Sequence, residues 1–344
     1  MKPIRLLIVD DSPTVQSVLT SILSEHTDIQ IVGTAFDPYE AKDLILKTRP
    51  DVITLDIEMP RMDGISFLKR LMSFRPVPVI MISSFTRENS RRTMEALNAG
   101  AVDFVAKPTG DVRTGLRELE REITSKVRAA TRAKIKPSIL FGKPEKTLPM
   151  ATIGASNKII AIGASTGGTR AIRRVLGGMP SNINGVAIVQ HMAARFTNTF
   201  AETLNESFPM DIKEAEQGDR LDTGKVLVSP GGQHLHVAKD HKGYYVRLQD
   251  GRPVKYQRPS VDVFFHSVAR MAGRDAIGIV LTGMGDDGAD GLLAMKQAGA
   301  FTIAQDEATS VVFGMPGSAI ARGAVEIVAP LDEIADIVLS RLIS

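Results

Sequence analysis

Short apolar runs alternate with amphipathic segments along the first third of the chain. The apolar runs have the length of buried strands and read IRLLIVD, IQIVGTAF, DVITLDI, VPVIMIS and AVDFVAK. The segment after the first run begins with Ser12 and Pro13, which suit a helix start, and its apolar residues from Val15 to Ile22 share one face. Strands that alternate with helices predict right-handed crossovers and a parallel sheet. We therefore expect an α/β domain with a five-stranded parallel sheet.

A second alternation of strands and helices begins at Lys158. Its apolar runs read KIIAIGAS, GVAIVQHM, AIGIVLTGMG, FTIAQD and VEIVAP. Two stretches interrupt it, KVLVSPGGQHLHVAK and GYYVRLQDG, and both have the composition of hairpin strands. This region is therefore expected to be α/β as well, with a doubly wound, mostly parallel sheet and an antiparallel hairpin.

The stretch between the two alternations is typical of a linker. It contains scattered basic residues, three prolines and little apolar periodicity, and it follows a helix predicted near residues 112–128. The length of 344 residues also favours two domains, because single hydrophobic cores usually stop growing before that size. We predict a first domain at 1–128, a linker at 129–157 and a second domain at 158–344.

Composition narrows the chemistry that the chain can carry. The sequence is 43% hydrophobic and 24% charged, as in a folded protein, and it has no cysteine, which excludes disulfides, thiolate metal sites and a cysteine nucleophile. It shows no apolar run of about 18 residues and no signal peptide pattern, so we expect a cytoplasmic protein without direct membrane insertion. A net charge of +3 gives little support to nucleic-acid binding.

Polar residues stand at the ends of several strands in the first domain. Asp10 and Asp11 follow the first predicted strand and Asp56 ends the third, so they should converge at the carboxyl edge of the sheet. Carboxylates brought together repel one another, and Mg²⁺ is a suitable counter-ion. Ser83 and Lys107 end the fourth and fifth strands and could stabilise a phosphoryl group on a carboxylate. For any single aspartate, capping of the following helix is an alternative role.

The segment GASTG in the second domain places Ser165 between a strand and a helix. This is the context of a nucleophile with the G-x-S-x-G pattern, although glycines before a helix would equally suit a phosphate. A serine nucleophile needs a base, and His191 follows the next strand. Asp286 and Asp287 lie on a glycine-rich turn after a later strand, so a serine, a histidine and an aspartate could meet in one crevice.

The remaining histidines have simpler interpretations. His234 and His236 would share one face of a strand and could form a metal pair, but the sequence places no carboxylate or cysteine at ligand spacing beside them. His26, His241 and His266 lie in helical or turn contexts, where surface or packing roles are expected.

The first domain resembles the receiver domain of two-component response regulators, in LLIVDDS, DVITLDIEMPRMDG, VIMISS and GAVDFVAKP. The resemblance implies a flavodoxin-like fold in which Asp56 accepts a phosphoryl group from a histidine kinase. It also implies that Asp11, Asp56 and the backbone carbonyl of Glu58 hold Mg²⁺, with Asp10 in support. The implied switch residues are Ser83, Phe104 and Lys107, with a cis peptide at Lys107–Pro108. Ser84 remains an alternative to Ser83 as the hydroxyl that reaches the phosphoryl group.

The second domain resembles the chemotaxis protein-glutamate methylesterases, in IAIGASTGGTRAI, AIVQHM, RPSVDVFF, VLTGMGDDGADG and VVFGMP. The resemblance implies a catalytic triad of Ser165, His191 and Asp287, with oxyanion-hole amides around Thr166 and Met284. The implied substrates are γ-glutamyl methyl esters on the cytoplasmic helices of chemoreceptors, with deamidation of receptor glutamines as a second activity. Ester hydrolysis of this kind needs no bound cofactor, and the receiver would regulate it.

Two other classes of output domain remain open at this point. A response regulator could carry a nucleotide-binding, non-hydrolytic output in which GASTGG holds a phosphate. A transcription factor would instead need a helical DNA-reading module, against which the α/β pattern argues.

Overall fold

The computed structural model describes residues 2–84, 86–108, 115–117, 119–133 and 158–343. The chain divides into two compact units, Met1–Gly142 and Lys143–Ser344. Most of the predicted linker, residues 134–157, lies outside the described residues, as do residues 112–114 and 118 of the helix predicted near 112–128. The domain boundaries therefore stay predictions.

The first unit contains one parallel sheet with helices between its strands. Its strands are β1 Ile4–Val9, β2 Ile29–Ala35, β3 Val52–Asp56, β4 Val79–Ser83 and β5 Asp103–Ala106. Its helices are α1 Pro13–Ser24, α2 Pro38–Thr48, α3 Gly64–Phe74, α4 Arg87–Asn98 and α5 Glu120–Thr131. The strand order is β2-β1-β3-β4-β5, and every neighbouring pair is parallel, which confirms the predicted sheet.

Local sequence explains where the first helix begins. The Ser12 side chain accepts a hydrogen bond from the amide of Val15, and Pro13 occupies the first helical turn, as predicted. The apolar side chains between Val15 and Ile22 are buried against the sheet. Asp10 directly follows β1 and Asp56 is the last residue of β3, so both lie at the carboxyl edge of the sheet.

The second unit has a larger parallel sheet and a separate hairpin. Its strands are β6 Ile159–Ala164, β7 Val186–Gln190, β8 Asp211–Glu214, β9 Lys225–Val228, β10 His234–Asp240, β11 Gly243–Gln249, β12 Ala276–Val280, β13 Phe301–Gln305 and β14 Ile327–Ala329. Its helices are α6 Gly168–Gly177, α7 Ala194–Asn205, α8 Val261–Met271, α9 Ala289–Gln297, α10 Met315–Ala321 and α11 Ile334–Ile343. None of the helices in the described parts of the chain is long and apolar enough to cross a membrane.

The seven-stranded sheet has the order β14-β13-β12-β6-β7-β9-β8, and β10 and β11 form the two-stranded antiparallel sheet. The predicted fold class is therefore confirmed. One detail was wrong: KVLV was predicted as a hairpin strand, but as β9 it pairs in parallel with β7 and β8. β8 was not predicted, because its four residues DIKE lack an apolar run.

The central strand β6 is the point at which the order of the strands along the sheet reverses. The chain continues from β6 to β7 on one side and later returns to β12 on the other side. Helix α8 packs closely on this strand: a side chain on Gly163 would meet Val261 Cγ1 at 2.3 Å. In an open α/β sheet the crevice beyond such a switch point is the usual binding site. Ser165 follows β6 at this position.

Candidate active site

The loop after β6 holds Ser165 close to the end of β12. The backbone amide of Ser165 donates to the carbonyl of Thr282 over 3.0 Å. Gly283 follows Thr282, and a Cβ added there would lie 2.8 Å from Ser165 Cβ, so only glycine allows this approach. Gly167, with φ of 77°, turns the chain into α6. The half-buried serine is thus fixed between two strand ends.

His191 is placed beside Ser165 by strand pairing. The preceding residues Ala164 and Gln190 are partners in the β6–β7 register, and the His191 amide donates to the Ala164 carbonyl over 3.0 Å. The Gln190 side chain connects the two loops, because its Nε2 donates to the carbonyls of Ser165 at 2.9 Å and His191 at 3.2 Å. Gln190 was not predicted as a site residue, although it adjoins His191 in AIVQHM.

Asp287 lies against the imidazole of His191, with 2.8 Å between Oδ2 and Nε2. The start of α8 supplies three further hydrogen bonds to this buried carboxylate. The Val261 amide donates to Oδ2 at 2.8 Å, and the Asp262 amide and the Ser260 hydroxyl donate to Oδ1 at 3.0 and 2.8 Å. A helix N-terminus is a favourable site for an anion, so α8 both orients Asp287 and stabilises its charge.

These contacts determine the ionisation of Asp287. Burial alone would raise the pKa of the carboxyl group, but the hydrogen bond and the charge of His191, together with the amides of Asp262 and Val261, hold it below its ordinary value. Asp287 is therefore ionised at neutral pH. It can orient the imidazole and offset the positive charge that would form on His191 during proton transfer.

The contact with Asp287 also assigns the two ring nitrogens. Because Nε2 lies against the carboxylate, Nδ1 is the nitrogen that would accept a proton from a serine nucleophile, the reverse of the usual serine protease arrangement. Among the described residues, the Ser165 hydroxyl forms no hydrogen bond with His191. Catalytic hydrogen bonds are often long before substrate binds and shorten in the complex.

The two predicted oxyanion-hole residues lie on the segments that flank the serine. Thr166 follows Ser165 directly, and its carbonyl accepts a hydrogen bond from the Thr282 hydroxyl at 3.0 Å. Met284 follows Gly283, the residue whose backbone approaches Ser165 Cβ. Thr166 and Met284 therefore lie on the two loops that meet at Ser165, and their role as oxyanion-hole donors stays a prediction.

The competing residues have other partners. Asp286 pairs with Arg322 at 2.6 Å and with Lys255 at 3.4 Å. His234 is buried, where its Nδ1 accepts from the Ser260 amide at 3.2 Å and its Nε2 lies 3.1 Å from the Arg252 carbonyl. His234 therefore supports the start of α8. In the described parts of the chain, the metal-type cluster of acidic groups lies in the first unit and does not include His234 or His236.

In that first unit, Asp10, Asp11 and Asp56 each place a carboxylate oxygen within 4.8 Å of the others. Asp10 and Asp56 are buried and Asp11 is exposed. Burial, together with the charge of Asp10, raises the pKa of Asp56 to about 6, although Lys107 opposes the shift. The three carboxylates suit a small divalent cation, because such an ion would offset their repulsion. Glu58, predicted to offer its backbone carbonyl, uses its side chain to accept from Ser84 at 2.9 Å.

Lys107 joins the two buried acids. Its Nζ lies 2.6 Å from Oδ2 of Asp56 and 2.9 Å from Oδ2 of Asp10. The two carboxylates raise the pKa of Lys107, although burial acts in the opposite direction. An ammonium group at this point can also contact a phosphoryl oxygen on Asp56.

The other two predicted switch residues, Ser83 and Phe104, are both buried. Ser83 is buried and accepts from the Thr93 hydroxyl at 2.9 Å, whereas Ser84 is half-buried and accepts from Asn89 at 2.8 Å. Phe104 is buried with the ammonium group of Lys126 5.0 Å from its ring centre.

The cis peptide among the described residues is Arg258–Pro259, and the one expected at Lys107–Pro108 is not found.

The fold and the two sites define a class of protein: a response regulator whose receiver is joined to an α/β domain with a serine, a histidine and an aspartate at its strand ends. Family comparisons agree. The family model of the response regulator receiver domain matches residues 6–116, and that of the CheB methylesterase matches residues 160–338. The chain belongs to the CheB methylesterase family.

Similar proteins cover nearly the whole chain. A protein-glutamate methylesterase/protein-glutamine glutaminase of Geobacter metallireducens is 51% identical over 96% of this chain and 94% of its own length. A protein of the same name from Salmonella typhimurium is 49% identical over 99% and 98%. The crystal structure of the Thermotoga maritima CheB methylesterase catalytic domain matches with a TM-score of 0.53 at 34% identity, and the match covers 54% of this chain and 100% of that domain.

Proposed function

We propose that this protein hydrolyses γ-glutamyl methyl esters on the cytoplasmic helices of chemoreceptors and deamidates receptor glutamines. The observation that carries the proposal is the 2.8 Å contact between His191 and Asp287 at the strand end next to Ser165. The names of the relatives from Geobacter metallireducens and Salmonella typhimurium support both activities. The protein would act in the cytoplasm, where these receptor helices lie.

Hydrolysis would proceed in two steps through an acyl-enzyme. Ser165 Oγ attacks the ester carbonyl while its proton moves to Nδ1 of His191, and the amides of Thr166 and Met284 donate to the negative oxygen. His191 then returns the proton to the leaving methoxide, which departs as methanol. Water, deprotonated by His191, attacks the acyl-enzyme and releases the glutamate carboxylate and the Ser165 hydroxyl. For a glutamine substrate, ammonia replaces methanol as the leaving group.

The first unit would control this activity through phosphorylation of Asp56 by a histidine kinase. Asp11 and Asp56, with the Glu58 carbonyl and support from Asp10, would hold Mg²⁺, which lowers the negative charge at the acceptor carboxylate. Lys107 would contact the transferred phosphoryl group. Ser83 and Phe104 would change position in response, because a buried hydroxyl and a buried ring can each adopt a second packing.

Receptor membranes labelled on their methyl groups provide the direct test. We expect the full-length protein to release labelled methanol, and acetyl phosphate to increase the rate. Ser165→Ala should lower the rate by at least about a thousandfold, because the nucleophile is lost. Ser340→Ala, an exposed serine on α11, is the matched control and should retain wild-type activity. Release of methanol by Ser165→Ala at the wild-type rate would contradict the proposal.

The nucleotide-binding alternative predicts a different outcome for the same variants. In that case Ser165→Ala would retain function, and added nucleotide would raise the melting temperature. The position of Asp287 argues for hydrolysis, because a buried carboxylate beside His191 would repel a phosphate held after β6. The relatives are also named as esterases.

A further inference from the structure

A tight turn between β11 and α8 has an uncommon backbone conformation. The amides of Val254 and Gln257 each donate to the carbonyl of the other, at 3.0 and 2.8 Å, which closes a two-residue turn. The central residues Lys255 and Tyr256 have φ values of 48° and 66°. Two positive φ values define the type I′ class, where asparagine and glycine are normally found. Lysine and tyrosine adopt this conformation at an energetic cost.

The ion pairs of Lys255 hold the 254–257 turn against the loop that carries Asp287. Its Nζ lies 2.8 Å from a carboxylate oxygen of Asp262 and 2.8 Å from one of Asp290. It also donates to the backbone carbonyl of Asp286 at 3.2 Å. The turn is therefore attached both to the start of α8 and to the loop after β12.

Tyr256 extends from this anchored turn into solvent. Its side chain is 85% exposed, and within the described part of the chain its hydroxyl has no hydrogen-bond partner. A ring in this position does not stabilise the turn, because it makes little contact with the protein and occupies a backbone conformation that tyrosine disfavours. Exposed tyrosines on rigid supports are common contact residues in protein interfaces.

The turn is close to the reacting groups. Tyr256 lies four positions before Ser260, which limits the distance between their Cα atoms to roughly 14 Å. The Ser260 hydroxyl in turn contacts Asp287. One helical turn rises about 5.4 Å, so a helix several turns long could place its ester at Ser165 and another residue against Tyr256. A small ester could not contact both points.

We propose that Tyr256 is a substrate-contacting residue that packs against the receptor helix and sets the affinity for helical substrates. The inference rests on the proposed function and adds a specificity residue to it. The partner is a helical polypeptide that carries the γ-glutamyl methyl ester. The aliphatic parts of side chains on its exposed face would pack on the tyrosine ring.

The test compares two substrates in the full-length protein, with acetyl phosphate in every assay. One substrate is methyl-labelled receptor in membranes, and the other is N-acetyl-glutamate γ-methyl ester. Tyr256→Asn keeps a residue that accepts positive φ but removes the ring. We expect its KM for receptor to rise about tenfold, as for loss of one interface anchor. Its kcat/KM for the small ester should stay within twofold of wild type, and its melting temperature should be equal or higher.

Two further variants serve as controls. Tyr256→Phe keeps the ring and should retain a KM for receptor near that of wild type. Phe74→Asn removes an 88% exposed ring from the first unit and should leave the same KM unchanged. An unchanged receptor KM in Tyr256→Asn would overturn the inference. An equal loss of kcat/KM on both substrates would also overturn it, because it would mean that the turn supports catalysis. If wild type released methanol from neither substrate, the proposed function would fail and this inference with it.

Discussion

The hydroxyl of Ser260 donates a 2.8 Å hydrogen bond to Oδ1 of Asp287, the carboxylate oxygen that His191 does not contact. Ser260 also caps α8, where its Oγ accepts from the amide of Val263 at 3.4 Å. The same residue thus fixes the start of a helix and the orientation of the proposed catalytic carboxylate. Packing of α8 on β6 therefore determines the direction in which Asp287 presents its charge to His191.

Replacement of Ser260 should weaken catalysis without removing any reacting group. In Ser260→Ala, Asp287 loses one donor, so its pKa should rise. We expect kcat on a small ester to fall about tenfold, the order of one hydrogen bond to a charged group. If the pKa of Asp287 is higher, its carboxylate takes up a proton at a higher pH. The acid limb of the kcat/KM profile should therefore shift to higher pH. Ser260→Thr keeps the hydroxyl group and should restore both kcat and the position of the acid limb.

That pH profile separates a positioning role from a structural one. If Ser260→Ala lowered activity equally at all pH values, and Ser260→Thr did so too, the loss would come from general damage to α8. The hydrogen bond to Asp287 would then have no measurable effect on its ionisation.

Neighbouring aspartates provide the sharpest comparison in the site. Asp287→Asn keeps the size of the side chain but removes the charge that orients His191, so kcat should fall by about 10³ to 10⁴. Asp286→Asn removes a carboxylate that pairs with Arg322 at the surface, and its kcat should stay within about threefold of wild type. Measurement of methanol release by both variants decides the assignment. A larger loss in Asp286→Asn would reverse it.

Strand ends explain why so much of the candidate site could be predicted. Apolar runs locate parallel strands, and the residue after each run must lie at the carboxyl edge of the sheet. Ser165, His191 and Asp56 follow this rule directly. The choice between Asp286 and Asp287 depends on backbone geometry within a glycine-rich turn, and the resemblance to the methylesterases identified the residue that the structure places against His191.

Other parts of the molecule carry no such local pattern. Ser260 reaches Asp287 from a helix 27 residues earlier in the chain, so only tertiary packing brings them together. The strand KVLV looked like part of a hairpin because turn residues follow it, yet pairing with β7 determines its sheet. The conformation of Lys255 and Tyr256 is also unexpected, since neither residue type favours positive φ.

Gly283 tests the close approach of the two loops beside Ser165. A methyl group at this position would lie 2.3 Å from Met315 Sδ and 2.8 Å from Ser165 Cβ. Gly283→Ala must therefore displace the serine or its loop, and we expect kcat to fall at least about a hundredfold, because small shifts of reacting groups have effects of this size. Gly317→Ala, where the nearest atom is a Phe313 ring carbon at 3.2 Å, is the control and should remain active. Near-normal kcat in Gly283→Ala would show that the loops do not constrain Ser165.

The ionisation of Asp56 should appear in the stability of the protein. Its folded pKa of about 6 exceeds the value of about 3.9 expected for an unfolded chain. The protonated acid therefore favours folding at pH below about 3.9, and this contribution is lost as the pH rises through about 6. Asp56→Asn keeps a neutral group at every pH. We expect its melting temperature in EDTA to exceed that of wild type on the order of 5–10 °C at pH 7.5.

The difference in melting temperature should shrink to about a third at pH 4.5, where Asp56 is protonated in the folded wild type. At pH 7.5, Mg²⁺ should raise the melting temperature of wild type but not that of Asp56→Asn, because the cation offsets the charges that the variant lacks. Asp43→Asn, an exposed acid on α2, is the control and should show no pH-dependent difference. A difference between Asp56→Asn and wild type that stayed constant from pH 4.5 to 7.5 would mean that Asp56 is not the group titrating near pH 6.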